Sequence, residues 1–162
     1  MKTKKLTIIA LLIGLSILGS YITIFMSIAL DSLPGFFAAL SLGALSGGLV
    51  GGLGHFMTAL IHGFPLGLPT HILVMFMMFL TCYFLGVFYK KSPLVGIIGA
   101  FSINWLLTLF LSSLLSYLVG VTPGPLTLFP ILLLPLFLGT LMNLLPAVLL
   151  HKILGERLNA LS

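Results

Sequence analysis

Few side chains in this sequence can do chemistry, and they are widely spaced. His55 and His62 lie seven residues apart, with Thr58 between them on the same helical face. Seven residues advance about 10 Å along a helix axis, too far for one metal ion to hold both. Helical metal ligands normally sit at i and i+4, and no Asp, Glu or second Cys accompanies these histidines. No metal and no other cofactor is expected. His71 follows a Gly-Pro loop and shares a helical side with Met75, Met78, Cys82 and Gly86. That Met set suits plain core, or an adaptable apolar wall for a ligand. His62 and His71 lie near segment ends, where interfacial histidines are common. His55 lies deeper and is the better candidate for ligand contact.

A second polar set follows steps of four: Gly96, Ala100, Asn104, Thr108, Ser112 and Ser116. Such steps stay near one helix face while drifting slowly around it. Asn104 is at the middle, beside Trp105, the only tryptophan. A small-and-polar stripe around an amide suits a ligand cavity, and it suits close packing of two helices equally well. Asn143 is open to the same two readings; Gly139 lies one turn before it and Pro146 just after it. An acid or base role for His55 or His71 would need a nucleophile or metal centre. The sequence supplies neither, so an enzyme is not expected; a purely structural membrane subunit is the other rival.

The elements that must position these residues follow from composition. Of 162 residues, 60% are hydrophobic and 6% charged, against about 25% charged in an average soluble domain. Mean hydropathy is +1.32. Such a chain cannot cover a soluble surface with solvated charge, and it is too apolar for disorder. The lone Cys82 excludes a disulfide scaffold. The net charge of +5 is scattered in small clusters rather than gathered into a nucleic-acid stripe. What remains is a single polytopic membrane domain over residues 1–162.

A helix needs roughly 20 apolar residues to cross the hydrocarbon. Gly63–Pro69 and Val121–Pro125 break the long apolar runs, because Pro and Gly end helices. Hydropathy then gives five blocks, but the basic clusters at Lys2–Lys5, Lys90–Lys91 and Lys152–Arg157 argue for an even count before Lys90 if all three face the cytoplasm. Splitting the second block near Leu42–Gly43 repairs the parity. Six transmembrane helices are expected, at about 6–29, 31–42, 44–62, 68–89, 93–119 and 126–152, in an all-α integral membrane protein with both termini cytoplasmic. Asp31, Gly63–Pro69 and Val121–Pro125 then share the outer face. The lysine-rich start has the outline of a signal peptide, but the apolar run continues past Ser16, Gly19 and Ser20 to Leu30, so it is read as a span. Within that span, Ala10 and Gly14 form a small-xxx-small pair that lets another helix approach closely.

Several of these features together resemble one family. The short second span with a glycine-rich third helix runs from Leu30-Asp-Ser-Leu-Pro-Gly-Phe-Phe-Ala-Ala39 through Gly51-Gly-Leu-Gly-His-Phe-Met-Thr-Ala59. The loop Gly63-Phe-Pro-Leu-Gly-Leu-Pro-Thr-His71 follows, and Asn143-Leu-Leu-Pro146 stands in the last helix. Nearly the whole chain is similar to the substrate-binding S components of energy-coupling factor (ECF) vitamin transporters, and most like those for alpha-ribazole, a cobalamin-salvage precursor. Another vitamin or a nucleoside-like ligand is the alternative within the family. The resemblance implies a cell-membrane protein that binds a small molecule and joins a transmembrane coupling subunit and an ATPase pair. No Walker A pattern is present, so the ATPases belong to other chains. The family's docking motif, Ala-x-x-x-Ala, reads Ala10-x-x-x-Gly14 here, which keeps the face flat. Metal-ion relatives carry a histidine after the initiator methionine, where this chain has Lys2. For a ligand joining an aromatic base to a ribose, Phe36, Phe37, Met75 and Trp105 would wall the ring. Asp31, His55, His71, Asn104 and Asn143 would meet the ring nitrogen or the sugar hydroxyls.

Overall fold

A computed structural model describes residues 3–25 and 28–159, so Lys2 lies outside the described residues. Helix α1 runs Thr3–Ser20. A short antiparallel pair follows, β1 Thr23–Phe25 and β2 Ile28–Ala29. The remaining elements are α2 Leu33–Ser41, α3 Ala44–Ile61, α4 Leu68–Phe88, α5 Pro93–Leu118 and α6 Leu128–Asn159. Helices α2, α4 and α5 each begin with proline in the first turn, where the missing N–H would have had no partner anyway. All but α2 are long and apolar enough to cross a membrane.

The first expected span is corrected. It ends at Ser20 rather than near residue 29, and Met26 and Ser27 within it lie outside the described residues. Hydropathy cannot separate an apolar helix from an apolar hairpin. The β-branched and aromatic run Ile22-Thr-Ile-Phe25 favours extended backbone. The chain then folds back onto α1, and Leu30 N–H donates to Gly19 O at 3.1 Å. Gly19 is required there, because a Cβ would collide with the Leu30 carbonyl. The last helix also extends beyond residue 152, carrying Pro135 and Pro146 inside it.

Helix α2 has nine residues, about 14 Å at 1.5 Å per residue and so about half of a hydrocarbon core. A helix ending at that depth must have its terminal backbone groups satisfied by protein. At its start, Ser32 and Leu33 N–H donate to Asn143 Oδ1 on α6, at 3.2 and 2.7 Å. At its end, Lys5 Nζ donates to Leu42 O at 2.9 Å, and Ser41 Oγ bonds His151 Nδ1 at 3.0 Å. Residues Pro34 to Ser41 are all buried. The turn into α3 passes through Gly43 at φ 97°, a left-handed conformation that favours glycine.

Glycines of α3 let three helices close on it. Gly47 backs onto Ala39 of α2, Gly54 onto Ser16 of α1, and Gly51 onto Cys82 and Met78 of α4. The core beside them is built from Phe36, Val50, Met78, Cys82, Leu85 and Leu144. A methyl group at position 51 would lie 2.6 Å from Cys82 Sγ. Overpacking of this kind costs about 1–3 kcal/mol. Gly51→Ala is therefore expected to lower the melting temperature in detergent, and Cys82→Ala in the same chain to restore most of the loss. A double-mutant cycle of thermal melts checks both; absence of recovery would place the constraint elsewhere.

Candidate functional site

The polar residues converge on one cavity of about 360 Å³, within the usual size range of small-molecule pockets. Its lining comes from the segment before α2, from α3, α4, α5 and α6, and from the α3–α4 loop. Pro65, Leu66, Val74, Met78, Leu109, Leu132 and Leu136 make the apolar walls. Asp31, Ser32, His55, His71, Asn104, Thr108 and Ser112 supply the polar atoms.

Asp31 is set by the chain on either side of it. Asn143 accepts from the N–H groups of Ser32 and Leu33, and donates from Nδ2 to Ala29 O and Gly139 O, both at 2.8 Å. The carboxylate is left to face α3, where Oδ2 lies 3.6 Å from His55 Nδ1. Ser32 Oγ donates to the other oxygen at 3.1 Å. His55 is seven residues inward of His62, about 10 Å by helical rise. Asp31 thus meets α3 at His55 rather than at its end, and it lines the same cavity as Pro65 and Leu66 of the Gly63–Pro69 loop.

His71 enters from α4. Its ring stacks on His55 with centroids 5.9 Å apart and planes 11° apart. Its Nδ1–H donates to Gly67 O at 3.0 Å, which leaves a bare Nε2 on the neutral ring. Phe64 meets His71 edge-on at 5.6 Å and Phe56 at 5.8 Å. It holds φ 51°, uncommon for a bulky residue, and so fixes the loop that brings Pro65 and Leu66 over the cavity. His62 is apart from the pair, bonded to Ser20 Oγ at 3.1 Å. Among the described residues, no group of three His, Cys, Asp or Glu is arranged to hold a metal ion.

Helix α5 presents Asn104, Thr108 and Ser112 together. Steps of four overshoot an α-helical turn of about 3.6 residues. Here a π turn spans Ile103–Leu107, with Thr108 N–H reaching Ile103 O. A π turn takes more residues to close, so it opposes the drift and keeps the three polar residues in line. Asn104 Nδ2 donates to Thr140 Oγ1 at 2.9 Å, and Thr140 gives its only proton to Leu136 O at 2.7 Å. That order fixes the amide orientation. The Ser112 hydroxyl and His55 Nε2 are buried with no hydrogen-bond partner.

Other expected site residues are placed elsewhere. Phe36 and Phe37 lie in the core. Met75 faces an apolar groove between α3 and α4 with Gly48, Gly52 and Phe79, while Met78, three residues on, lines the cavity. Trp105 clasps α6: its Nε1–H donates to Leu133 O at 2.7 Å, and its ring meets Phe137 at 4.9 Å. Asn143 is used up by the protein. The residues not singled out were Ser32, Thr108, Ser112, Met78, the loop pair Pro65–Leu66, and Val74, Leu109, Leu132 and Leu136. The stripe of four already ran through Thr108 and Ser112, and Met78 belonged to the Met set on the His71 side of α4; nothing in the sequence assigned the rest to a cavity. Ala10 and Gly14 lie on the outward side of α1 with exposed Leu6 and Leu18, opposite buried Ile9, Leu12 and Ser16. A Cβ at Gly14 would meet nothing within 4 Å.

A family model described as ECF transporter, substrate-specific component, matches residues 4–155. No curated protein and no solved structure matches.

The two asparagines should behave differently. Asn143→Leu leaves the N–H groups of Ser32 and Leu33 without their acceptor and takes a donor from Ala29 O, while Gly139 O keeps its intrahelical partner; each group left unpaired costs about 1–3 kcal/mol. Asn104→Leu removes one interhelical bond, worth on average about 0.6 kcal/mol in a membrane, and Thr140 keeps its own acceptor. Thermal melts without ligand are expected to show a large loss for Asn143→Leu and a small one for Asn104→Leu. Equal losses would mean that Asn104 is as structural as Asn143.

Proposed function

The chain belongs to the substrate-specific component family of ECF transporters, and on that premise we propose that it captures alpha-ribazole for import. Members of this family bind a small-molecule substrate and pair with an ECF module; they are transporter subunits, not enzymes. The family and the five long apolar helices make it a multi-pass protein of the cell membrane.

The cavity carries the reading. Apolar walls offer a slot for an aromatic base, and the segment before α2, α3, α4 and α5 each bring polar atoms to it. The Asp-Ser-x-Pro-Gly-Phe and Gly-Phe-Pro-Leu-Gly segments favour alpha-ribazole within the family. Helix α2 counts as the sixth span, and both termini lie in the cytoplasm beside Lys90–Lys91. The ligand site then opens toward the outside, where Gly63–Pro69 lies. On the opposite side of α1 from the core, Ala10 and Gly14 dock the coupling subunit, which brings the ATPase pair.

Calorimetric titration of purified protein with alpha-ribazole is expected to give stoichiometric binding without turnover. Gly14→Phe should leave that binding unchanged and abolish ATP-driven uptake, because a close helix crossing cannot admit the ring. Loss of binding and uptake together would make the Ala10–Gly14 face an internal one. For the topology, cysteines introduced by Thr3→Cys, Lys91→Cys and Asn159→Cys should resist a membrane-impermeant reagent in intact cells and react after lysis. Labelling of any one from outside would sink the six-span arrangement.

A further inference from the structure

If the cavity is the ligand site, as the binding-subunit reading has it, its uncommitted atoms define what fits. Most of its protons are already spent on the protein. Ser32 Oγ gives its proton to Asp31 Oδ1, Thr108 Oγ1 to Ile103 O at 2.9 Å, and His71 Nδ1 to Gly67 O. Asn104 commits one amide N–H to Thr140 Oγ1. Two donors outside the histidine pair stay free, the second Asn104 N–H and the Ser112 hydroxyl. What remains is weighted toward lone pairs: the Asp31 carboxylate, the Asn104 carbonyl and Nε2 of neutral His71.

The charge balance points the same way. Asp31 is one of two acidic residues in the whole sequence, and among the described residues no Lys or Arg lines the cavity. Lys5 is bound at the far end of α2, on Leu42 O. The titratable groups facing Asp31 are His55 at 3.6 Å and, stacked behind it, His71. An ionised carboxylate inside a membrane protein needs a counter-charge or several donors. Asp31 has one serine hydroxyl and a histidine beyond hydrogen-bond length. The ligand is the natural source of the rest.

We propose that the cavity selects a small amphipathic ligand that presents N–H or O–H donors, or a positive charge, to Asp31, and that it rejects ligands bearing a carboxylate or phosphate. An anion would bring a second negative charge beside Asp31, with only the His55–His71 pair and no Lys or Arg among the described lining residues to offset it. Apolar surface on Val74, Met78, Leu109, Leu132 and Leu136 takes the uncharged body.

The test titrates the full-length purified protein with four probes: alpha-ribazole, its 5′-phosphate, thiamine and biotin. The first two differ only in a phosphate, and the last two are a cation and a carboxylate. Alpha-ribazole or thiamine is expected to bind, with both anions at least a hundredfold weaker. Asp31→Asn should weaken the binding at least tenfold. Its fold should persist, because Asn143 holds the backbone around Asp31 and not the carboxylate. The phosphate comparison needs no variant, so it decides the matter even if Asp31→Asn does not fold. Binding of either anion as tightly as the uncharged or cationic probe overturns the proposal. So does equal binding of alpha-ribazole by wild type and Asp31→Asn, which would leave the alpha-ribazole reading intact. Thiamine binding without alpha-ribazole binding supports the charge rule and removes alpha-ribazole. No binding by any of the four overturns both.

Discussion

The carboxamide of Asn143 makes four hydrogen bonds, and the placement of the site follows from them. Its oxygen takes the first two N–H groups at the start of α2, and its nitrogen holds Ala29 O and Gly139 O. An amide with two donors and an acceptor oxygen is saturated by this arrangement. Without it, α2 would begin with bare N–H groups, which lipid could not satisfy. With it, the segment from the hairpin is pinned to α6, and Asp31 is aimed at His55.

Helix α2 is short because it is enclosed. Glycines on α3 bring backbone against backbone, so α2 is wrapped by α3, α4, α6 and the start of α1. That close packing leaves its polar ends answered by protein alone: Asn143 at one, and Lys5 with His151 at the other. The cavity lies among the segment before α2, α3, α4, α5 and α6. Beside it, α5 carries a π turn and Trp105 clasps α6. A ligand entering there meets walls fixed by packing, with side chains already oriented by the protein, which reduces the ordering cost of binding.

The cavity and the outward face of α1 are separated within the molecule. The cavity draws on every long helix except α1. Helix α1 turns Ser16 and Leu12 inward and leaves Leu6, Ala10, Gly14 and Leu18 outward.

The sequence determined the class outright, since a chain so apolar and so poor in charge has no soluble solution. Proline and glycine punctuation marked most helix starts, and the break expected near Leu42–Gly43 is where the short helix α2 ends and α3 begins. Asn104, His55, His71 and Asp31 stood out because polar groups are costly in a membrane, and all four line the cavity. Only the tertiary structure decided which polar group was spent on the protein and which was left over. Asn104 and Asn143 look alike in the sequence, yet one faces the cavity and the other is consumed by the backbone of its own helix and of the segment leading into α2. The same holds for Met75 and Met78, three residues apart on one helix, because a turn of a fraction of a circle moves a side chain from a groove to a cavity. The hairpin after Ser20 was hidden for a related reason. Hydropathy reports how much apolar surface a segment has, while chain reversal depends on Gly19 accepting a carbonyl from eleven residues away.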